Sequence, residues 1–367
     1  MAVELRSRQT LSRTRRTAVN TISIAGRKIG PDSPVYVIAE ISANHNQNFD
    51  QAVRLLEVAK EVGADAVKIQ TYTADTITLN ANTAYFQVAG GTIWDGRTLY
   101  DLYQEAYTPW DWQPKLKAIA DKLEITLFSS PFDHTAVDFL ETMDVPAYKV
   151  ASFELVDLPL LRKIASTGKP VIASTGMASL GEIDEAMRTL REAGATEIAL
   201  LRTNSGYPAP PEEMHLRTIP HLARAFNVPT GLSDHTLGIS ASVTAVALGA
   251  CVLEKHITLS RNDPGPDSAF SLEPDEFASM VAAVRETEKL LGTVHYGISA
   301  KEEKSRVFRR SLFVSQSVKA GEAFTPENVR SVRPAHGLHT RYLEQVIGRH
   351  ATRDLEAGTP LAWDLVG

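Results

Sequence analysis

A closed (β/α)8 TIM barrel followed by a small C-terminal β-rich domain is the architecture that the patterning of this 367-residue chain points to. Between Val35 and Leu291, short apolar runs alternate with stretches of helical spacing, eight of each. Most of the connections are short, as neighbouring parallel strand–helix units require. The polar side chains that break the apolar runs cluster at their C-terminal ends, the end that carries the active site in such barrels. An open doubly wound sheet can also hold eight strands, so alternation alone leaves that alternative standing.

Residues 1–33 read as a basic extension outside the fold. Arg6, Arg8, Arg13, Arg15 and Arg16 lie among Ser and Thr with Glu4 as the acid, which is the composition of a disordered tail. A targeting role is the alternative, although the first twenty residues lack the apolar core of a secretory signal.

The barrel is expected over 34–297. Val35–Ile41 has a buried-strand pattern, and Asp50–Val62 follows with Val53, Leu56 and Ala59 on one helical face and Asp50 as the expected N-cap. Asp65–Thr71 is the second strand. A long insertion rich in Tyr and Trp runs from Tyr72 to Trp110. Helix Pro114–Leu123 and strand Ile125–Ser130 come next, then helix His134–Met143, strand Ala147–Ala151 and helix Leu158–Ser166. The remaining units are strand Pro170–Ser174, helix Gly181–Ala193, strand Glu197–Thr203, helix Leu216–Phe226, strand Thr230–Ser233, helix Ser240–Leu248, strand Cys251–His256 and helix Pro274–Leu291. Residues 298–304 read as a charged linker. Over 305–367 the runs are short, β-like and broken by Gly and Pro, and a domain of that size is marginal unless it docks on something.

Composition excludes several classes. The chain is 43% hydrophobic and 22% charged, ordinary for a globular protein. A net charge of −6 argues against a general nucleic-acid or anionic-membrane binder. No apolar run reaches membrane-spanning length. Cys251 is the single cysteine, so no internal disulfide forms; its apolar surroundings read as core rather than nucleophile. A cytoplasmic location fits this usage. There is no zinc-finger spacing, Walker motif or dinucleotide fingerprint.

The strand ends carry the chemistry. Glu40, Lys68 with Gln70, Ser129 and Ser130, Lys149 with Ser152, Ser174, Asn204 with Ser205, Ser233 with His235, and His256 all fall there. Lys68 lies between Val67 and Ile69, and Lys149 between Tyr148 and Val150. A lysine inside a buried strand is costly unless an anion meets it. A structural ion pair answers that requirement. Two such lysines beside so many serines answer it equally with an anionic ligand. His235 and His256 end consecutive strands, and neighbouring strands lie about 4.8 Å apart, close enough for both to hold one metal ion. Unrelated loop histidines are the alternative.

These residues sit within longer motifs. They are Ile38-Ala-Glu-Ile-Ser-Ala-Asn-His-Asn, Ala64-Asp-Ala-Val-Lys-Ile-Gln-Thr-Tyr, Phe128-Ser-Ser-Pro-Phe-Asp, Tyr148-Lys-Val-Ala-Ser-Phe-Glu, Ser174-Thr-Gly-Met, Gly231-Leu-Ser-Asp-His-Thr and Glu254-Lys-His. From about Ser33 to Gly367 the chain resembles the sialic acid synthase family. The stretch Gly91 to Trp110 makes it most similar to the pseudaminic acid synthases within that family. The C-terminal part is similar to the antifreeze-like (SAF) domain of these enzymes.

The resemblance implies condensation of phosphoenolpyruvate with an open-chain amino-sugar aldehyde, here 2,4-diacetamido-2,4,6-trideoxy-altrose, with release of phosphate. It implies that Lys149, Ser130, Ser152, Ser174 and Ser233 bind phosphoenolpyruvate with Lys68 nearby, and that His235 and His256 bind Mn²⁺ or Mg²⁺. Arg202-Thr-Asn-Ser-Gly-Tyr207 departs from the family's Cys-Thr-Ser-Ala-Tyr, which leaves Asn204 and Ser205 as alternatives for one further contact. Glu40 and Glu154 are the implied catalytic carboxylates, with their roles undivided. Gln70, Tyr72, Tyr207, Asp267 and the aromatics Tyr85, Phe86, Trp94 and Tyr100 are expected around the sugar, with insertion packing or turn formation as alternatives. Asn44, His45 and Asn46 either contact substrate or water or belong only to the loop. The resemblance also implies a domain-swapped homodimer in which Arg333 reaches the partner's sugar. A legionaminic or N-acetylneuraminic acid synthase is the neighbouring reading, a non-catalytic sugar-binding barrel the remote one.

Overall fold

The computed structural model describes residues 19–89, 91 and 93–367. The chain divides into two compact units, Met1–Gly292 and Thr293–Gly367. The first opens on an antiparallel hairpin, β1 (Ile22–Ile24) and β2 (Arg27–Ile29). Ala25 and Gly26 in its turn both have positive φ, 48° and 79°, as a two-residue hairpin turn requires. Ile22, Ile24 and Ile29 are buried in one cluster with Tyr36, Ile38, Phe128 and Tyr148. This corrects the disordered extension expected to reach residue 33. Strands of three residues are too short for alternation to distinguish them from coil. The arginines at positions 6–16 lie outside the described residues.

Eight parallel strands follow: β3 (Tyr36–Glu40), β4 (Ala66–Thr71), β5 (Thr126–Pro131), β6 (Tyr148–Val150), β7 (Val171–Ser174), β8 (Ile198–Thr203), β9 (Thr230–Asp234) and β10 (Val252–His256). They pair in chain order and β10 returns to β3, so the sheet closes and the open doubly wound alternative falls. The surrounding helices are α1 (Phe49–Glu61), then α2 (Ala74–Ile77) and α3 (Leu99–Ala106) inside the insertion, α4 (Gln113–Lys122), α5 (His134–Thr142), α6 (Leu158–Ala165), α7 (Leu180–Glu192), α8 (Thr218–Phe226), α9 (Ser240–Ala247) and α10 (Pro274–Leu291). One cap differs from expectation. Asn48, not Asp50, caps α1, accepting from Gln51 N–H at 3.1 Å. Asp50 instead sits in the first turn, where its charge favours the positive end of the helix.

Alternation along the strands separates two environments. Val37, Ala39, Val67, Ile69, Leu127, Leu232 and Leu253 face the helices and pack with Leu55, Leu56, Leu116, Phe277 and Met280. Lys255 belongs to this outer face: its Nζ lies 3.0 Å from Asp234 Oδ2, and both side chains are fully buried. Asp234 also takes the Thr236 N–H at 2.9 Å and the Ser242 hydroxyl at 2.8 Å, fastening the end of β9 to α9. The residues between these positions point into the barrel, which is where the polar layer lies. Among the described residues no helix is long and apolar enough to cross a membrane.

The second unit contains α11 (Ala300–Glu303), strands β11 (Ser311–Val314) and β12 (Val329–Val332), and α12 (Leu343–Val346). The connector expected at 298–304 therefore carries a helical turn, capped by Ser299, which accepts from Glu302 N–H. Leu312, Val314, Phe324, Val329, Leu355 and Leu361 form its core. Gly337 is required there, because a Cβ would come 2.1 Å from the Leu312 carbonyl oxygen.

Candidate active site

Strand register brings the inward polar residues to one level. Glu40 stands opposite both Lys68 and His256, Glu254 opposite Ser233, and Gln70 opposite Ser130. Lys68 Nζ lies 3.0 Å from Glu40 Oε2 and 2.9 Å from Glu254 Oε1. The Ser233 hydroxyl donates to the same Glu254 oxygen at 3.0 Å. Lys149 Nζ donates to Ser174 Oγ at 2.7 Å and to the Val150 carbonyl at 2.8 Å, and stands 4.0 Å from Glu254 Oε1. All four charged residues are buried. Burial of a charge is tolerated only with a partner, and Lys68 has two. Lys149 is less well matched. Burial pulls its ammonium down to about 7, with Glu254 opposing and Lys68 assisting. Burial pushes Glu254 the other way, but Lys149 and Lys68 outweigh it and hold the carboxyl well below the usual range.

Hydroxyls line the neighbouring wall. Ser130 Oγ and Ser205 Oγ are buried without a hydrogen-bond partner among the described residues. Ser152 Oγ accepts from Gly176 N–H at 3.2 Å. A Cβ on Gly176 would meet Ser205 Oγ at 2.4 Å and Ser152 Oγ at 2.6 Å, so the backbone approaches both serines closely and a methyl there would force their hydroxyls to move. The two alternatives after β8 differ. Asn204 Oδ1 accepts from Gly206 N–H at 2.7 Å and Nδ2 reaches Glu213 Oε2 at 3.3 Å, so the amide is engaged in its own loop. Ser205 keeps a free hydroxyl beside Gly176.

On the other side lie the histidines. Their ring centroids are 5.4 Å apart. His235 Nδ1 lies 2.7 Å from the Asn204 carbonyl, which can only accept; Nδ1 therefore carries the proton and Nε2 keeps its lone pair. His256 Nδ1 is buried and unpartnered. Burial lowers His235 to about 4, opposed by the Asn204 carbonyl, and holds His256 well below its ordinary value, helped by His235 and Lys68. Both rings are thus neutral, the form that ligates metal. No group of three or more His, Cys, Asp or Glu with metal-holding geometry occurs among the described residues. A cation here would have two protein nitrogens and open positions for substrate and water, and the donor set fits that use.

Tyr207 packs on His235 at 4.4 Å and on Phe270 at 5.1 Å. Asp267 is buried and takes the Ser42 hydroxyl, which in turn accepts from Gln70 Nε2 at 3.0 Å. Gln70 also reaches Glu40 Oε1 at 3.2 Å. Burial raises Asp267, with the Ser42 hydroxyl and Ala43 N–H opposing. Glu154 Oε2 is buried without a partner, and burial pushes its carboxyl up to about 7 against the pull of Lys149.

Several sequence candidates make other contacts or lie at the surface. His45 has both nitrogens engaged, by Thr108 Oγ1 and Gln47 N–H, each at 3.1 Å, so it fastens the insertion's end. Asn44 serves the Ile257 carbonyl and Ser271. Tyr85 is 91% exposed and Tyr100 bonds Asp75 at the surface, whereas Tyr72 is buried against Tyr103 and Phe132. Arg333 belongs to the second unit and is exposed there, lining a surface cavity of about 1090 Å³ with Arg306, Arg309 and His336. Sequence reasoning missed Glu254, Gly176 and Ser42. Glu254 had a signal: it stands two residues before His256, on the same face of the strand.

Residues 55–296 match the NeuB family. The chain belongs to the NeuB family. Residues 309–367 match the SAF domain. The pseudaminic acid synthase of Campylobacter jejuni subsp. jejuni serotype O:23/36 (strain 81-176) is 44% identical over 330 residues, 90% of this chain and 96% of that protein. The pseudaminic acid synthase of Helicobacter pylori is 43% identical over 332 residues, 90% and 97% of the two chains. The crystal structure of N-acetylneuraminic acid synthetase from Leptospira borgpetersenii serovar Hardjo-bovis aligns with a TM-score of 0.70 at 30% identity, covering 78% of this NeuB-family chain and 95% of the other.

Proposed function

We propose that this chain is a pseudaminic acid synthase, joining phosphoenolpyruvate to 2,4-diacetamido-2,4,6-trideoxy-altrose. The observation that carries the reading is the pairing of an under-matched buried cation, Lys149, with a wall of hydroxyls around Gly176, beside two buried neutral histidines. Phosphoenolpyruvate brings a phosphate and a carboxylate, and such anions need cations and several directed donors. Ser130, Ser152 and Ser205 suit the phosphate, with Gly176 N–H orienting the Ser152 hydroxyl, and Ser205 is the better donor than Asn204. Lys149, Lys68, Ser174 and Ser233 suit the remaining negative charge.

In the reaction a bond forms between C3 of phosphoenolpyruvate and the aldehyde carbon, water adds at C2, and phosphate leaves by C–O cleavage. A divalent cation held by His235 and His256, Mn²⁺ or Mg²⁺, would supply polarisation of the aldehyde oxygen. Glu154 is the group suited to exchanging a proton, because its carboxyl titrates near neutrality and keeps a free oxygen. Glu40 is held in its ion pair with Lys68 and in the Gln70 contact, and suits orientation of water or sugar. Gln70, Tyr207 and Asp267 suit the sugar hydroxyl and amide groups. Arg333 of one copy, exposed on its second unit, suits the sugar bound by another copy in a swapped homodimer.

The test is phosphate release from phosphoenolpyruvate by purified protein with Mn²⁺, against this altrose, its legionaminic-type counterpart and N-acetylmannosamine, with product masses. Release with the altrose alone is expected. Release with another aldehyde alone discards the substrate and keeps the chemistry. No release from folded, metal-loaded protein discards the reading.

A further inference from the structure

We infer that Trp94 is a positioning residue for the sugar: it fixes Tyr207 and the loop carrying Asp267 across the mouth of the barrel. The inference rests on the proposed reading, in which Tyr207 and Asp267 face the sugar.

The insertion after β4 presents Trp94 from a braced turn. Val88 N–H donates to the Arg97 carbonyl at 2.8 Å and Gly96 N–H to the Val88 carbonyl at 3.0 Å. Gly91 N–H donates to Asp95 Oδ2 at 2.8 Å inside the turn. From this support the Trp94 indole N–H donates to the Pro266 carbonyl at 3.0 Å. Its ring lies 5.5 Å from the Tyr207 ring, which packs 4.4 Å from His235. One side chain therefore meets two loops that reach the mouth separately, one after β8 and one after β10.

Both contacts lead inward. Pro266 precedes Asp267, whose carboxylate takes the Ser42 hydroxyl; Ser42 accepts from Gln70, and Gln70 reaches Glu40. Tyr207 leads to the histidines. The phosphoenolpyruvate side, with Lys149, Gly176 and the serines, receives none of these contacts. Trp94 is half-buried and lies on the periphery of the fold, so its removal leaves the barrel core untouched. An aromatic pair and a hydrogen bond at one side chain together account for about a tenfold effect on a bound ligand that both orient. The consequence is a selective one: sugar affinity and sugar choice depend on Trp94, and phosphoenolpyruvate affinity does not.

The test is steady-state kinetics of the full chain with Mn²⁺, varying each substrate, for Trp94→Ala and Trp94→Phe. Alanine removes both contacts; phenylalanine keeps the ring against Tyr207 and loses the N–H donor. Trp94→Ala is expected to raise the sugar KM about tenfold, with the phosphoenolpyruvate KM within about twofold of wild type, and to flatten the preference among the three aldehydes. Trp94→Phe is expected to recover most of both losses. Wild-type sugar KM and selectivity in Trp94→Ala overturn the inference. So does a parallel rise in both KM values, which marks a structural role only. Should Trp94→Ala not fold, the phenylalanine variant carries the test: a sugar KM raised about threefold at unchanged phosphoenolpyruvate KM supports the inference, and an unchanged sugar KM overturns it. If wild type turns over a different aldehyde, the substrate reading fails while Trp94 is tested with that aldehyde. A wild type that turns over none of the three sinks both.

Discussion

Glu154→Gln should stabilise the substrate-free protein above neutral pH while damaging catalysis. Burial raises the Glu154 carboxyl from an ordinary 4.5 to about 7; Lys149 opposes the rise, and Asp157 adds to it. The folded chain thus holds this proton after the unfolded chain has lost it. Stability falls wherever the native state binds more protons than the unfolded one, so this group lowers stability as pH climbs from about 4.5 to about 7 and adds nothing further above that. The gap of about 2.5 pH units corresponds to about 3.4 kcal/mol at 1.36 kcal/mol per unit. Glu154 is half-buried and water can reach part of it, so about half of that is a fair expectation, roughly 1.5 kcal/mol. For a barrel of this size that is about 3–5 °C in Tm. The assay is thermal unfolding of wild type and Glu154→Gln, followed by circular dichroism, at pH 5 and pH 8. The variant should melt close to wild type at pH 5 and several degrees higher at pH 8, with turnover reduced at least a hundredfold. A stability difference of the same size at both pH values would refute the placement of a strained carboxyl here.

Three further outcomes follow from the same geometry. Gly176→Ala should raise the phosphoenolpyruvate KM by roughly tenfold or more and leave the sugar KM within about twofold, because its methyl would occupy the space between Ser152 and Ser205; equal effects on both substrates in steady-state kinetics would contradict the assignment. Exhaustive EDTA treatment should abolish phosphate release and Mn²⁺ should restore it; full activity without metal would remove the role given to His235 and His256. Arg333→Ala should weaken sugar binding, read as KM, and spare phosphoenolpyruvate; equal loss of both affinities would count against its reaching the sugar.

The barrel was legible in the sequence because both faces of its strands are buried, which leaves continuous apolar runs such as Tyr36–Ala39 and Val171–Ala173. Lys68 and Lys149 stood out by breaking those runs. The ion-pair reading fits Lys68 better than Lys149. Lys68 is an ion-pair partner on both sides, while Lys149 has a carboxylate only at 4.0 Å and retains capacity for an anion. Glu254 was harder to read. It sits next to Lys255 in sequence, and the adjacent opposite charges resemble a local pair. They point to opposite faces: Glu254 to Lys68 inside, Lys255 to Asp234 outside. Gly176 was also hidden, because its importance lies in serines from two other loops. The hairpin at 22–29 was missed for a different reason. Its isoleucines gain their burial from strands far along the chain, and no local pattern of six residues encodes that.

The charge balance of the inward layer limits how it can take an anion. Lys68 and Lys149 are already matched in number by Glu40 and Glu254, and all four are buried. On the proposed reading, phosphoenolpyruvate adds negative charge to a site with little water to screen it. Two groups can absorb that charge by holding a proton: the buried Lys149, which burial has brought to about 7, and the half-buried Glu154, which partial burial has raised to the same region. An approaching anion favours the protonated form of each. More lysines would give stronger attraction but would lack carboxylate partners whenever the substrate is gone, and each uncompensated cation costs several kcal/mol in such a site. Hydroxyls avoid that problem. On the proposed reading Ser130, Ser152 and Ser205 would donate to a phosphate without carrying charge of their own, so the same wall would be tolerable with the anion bound and with it released.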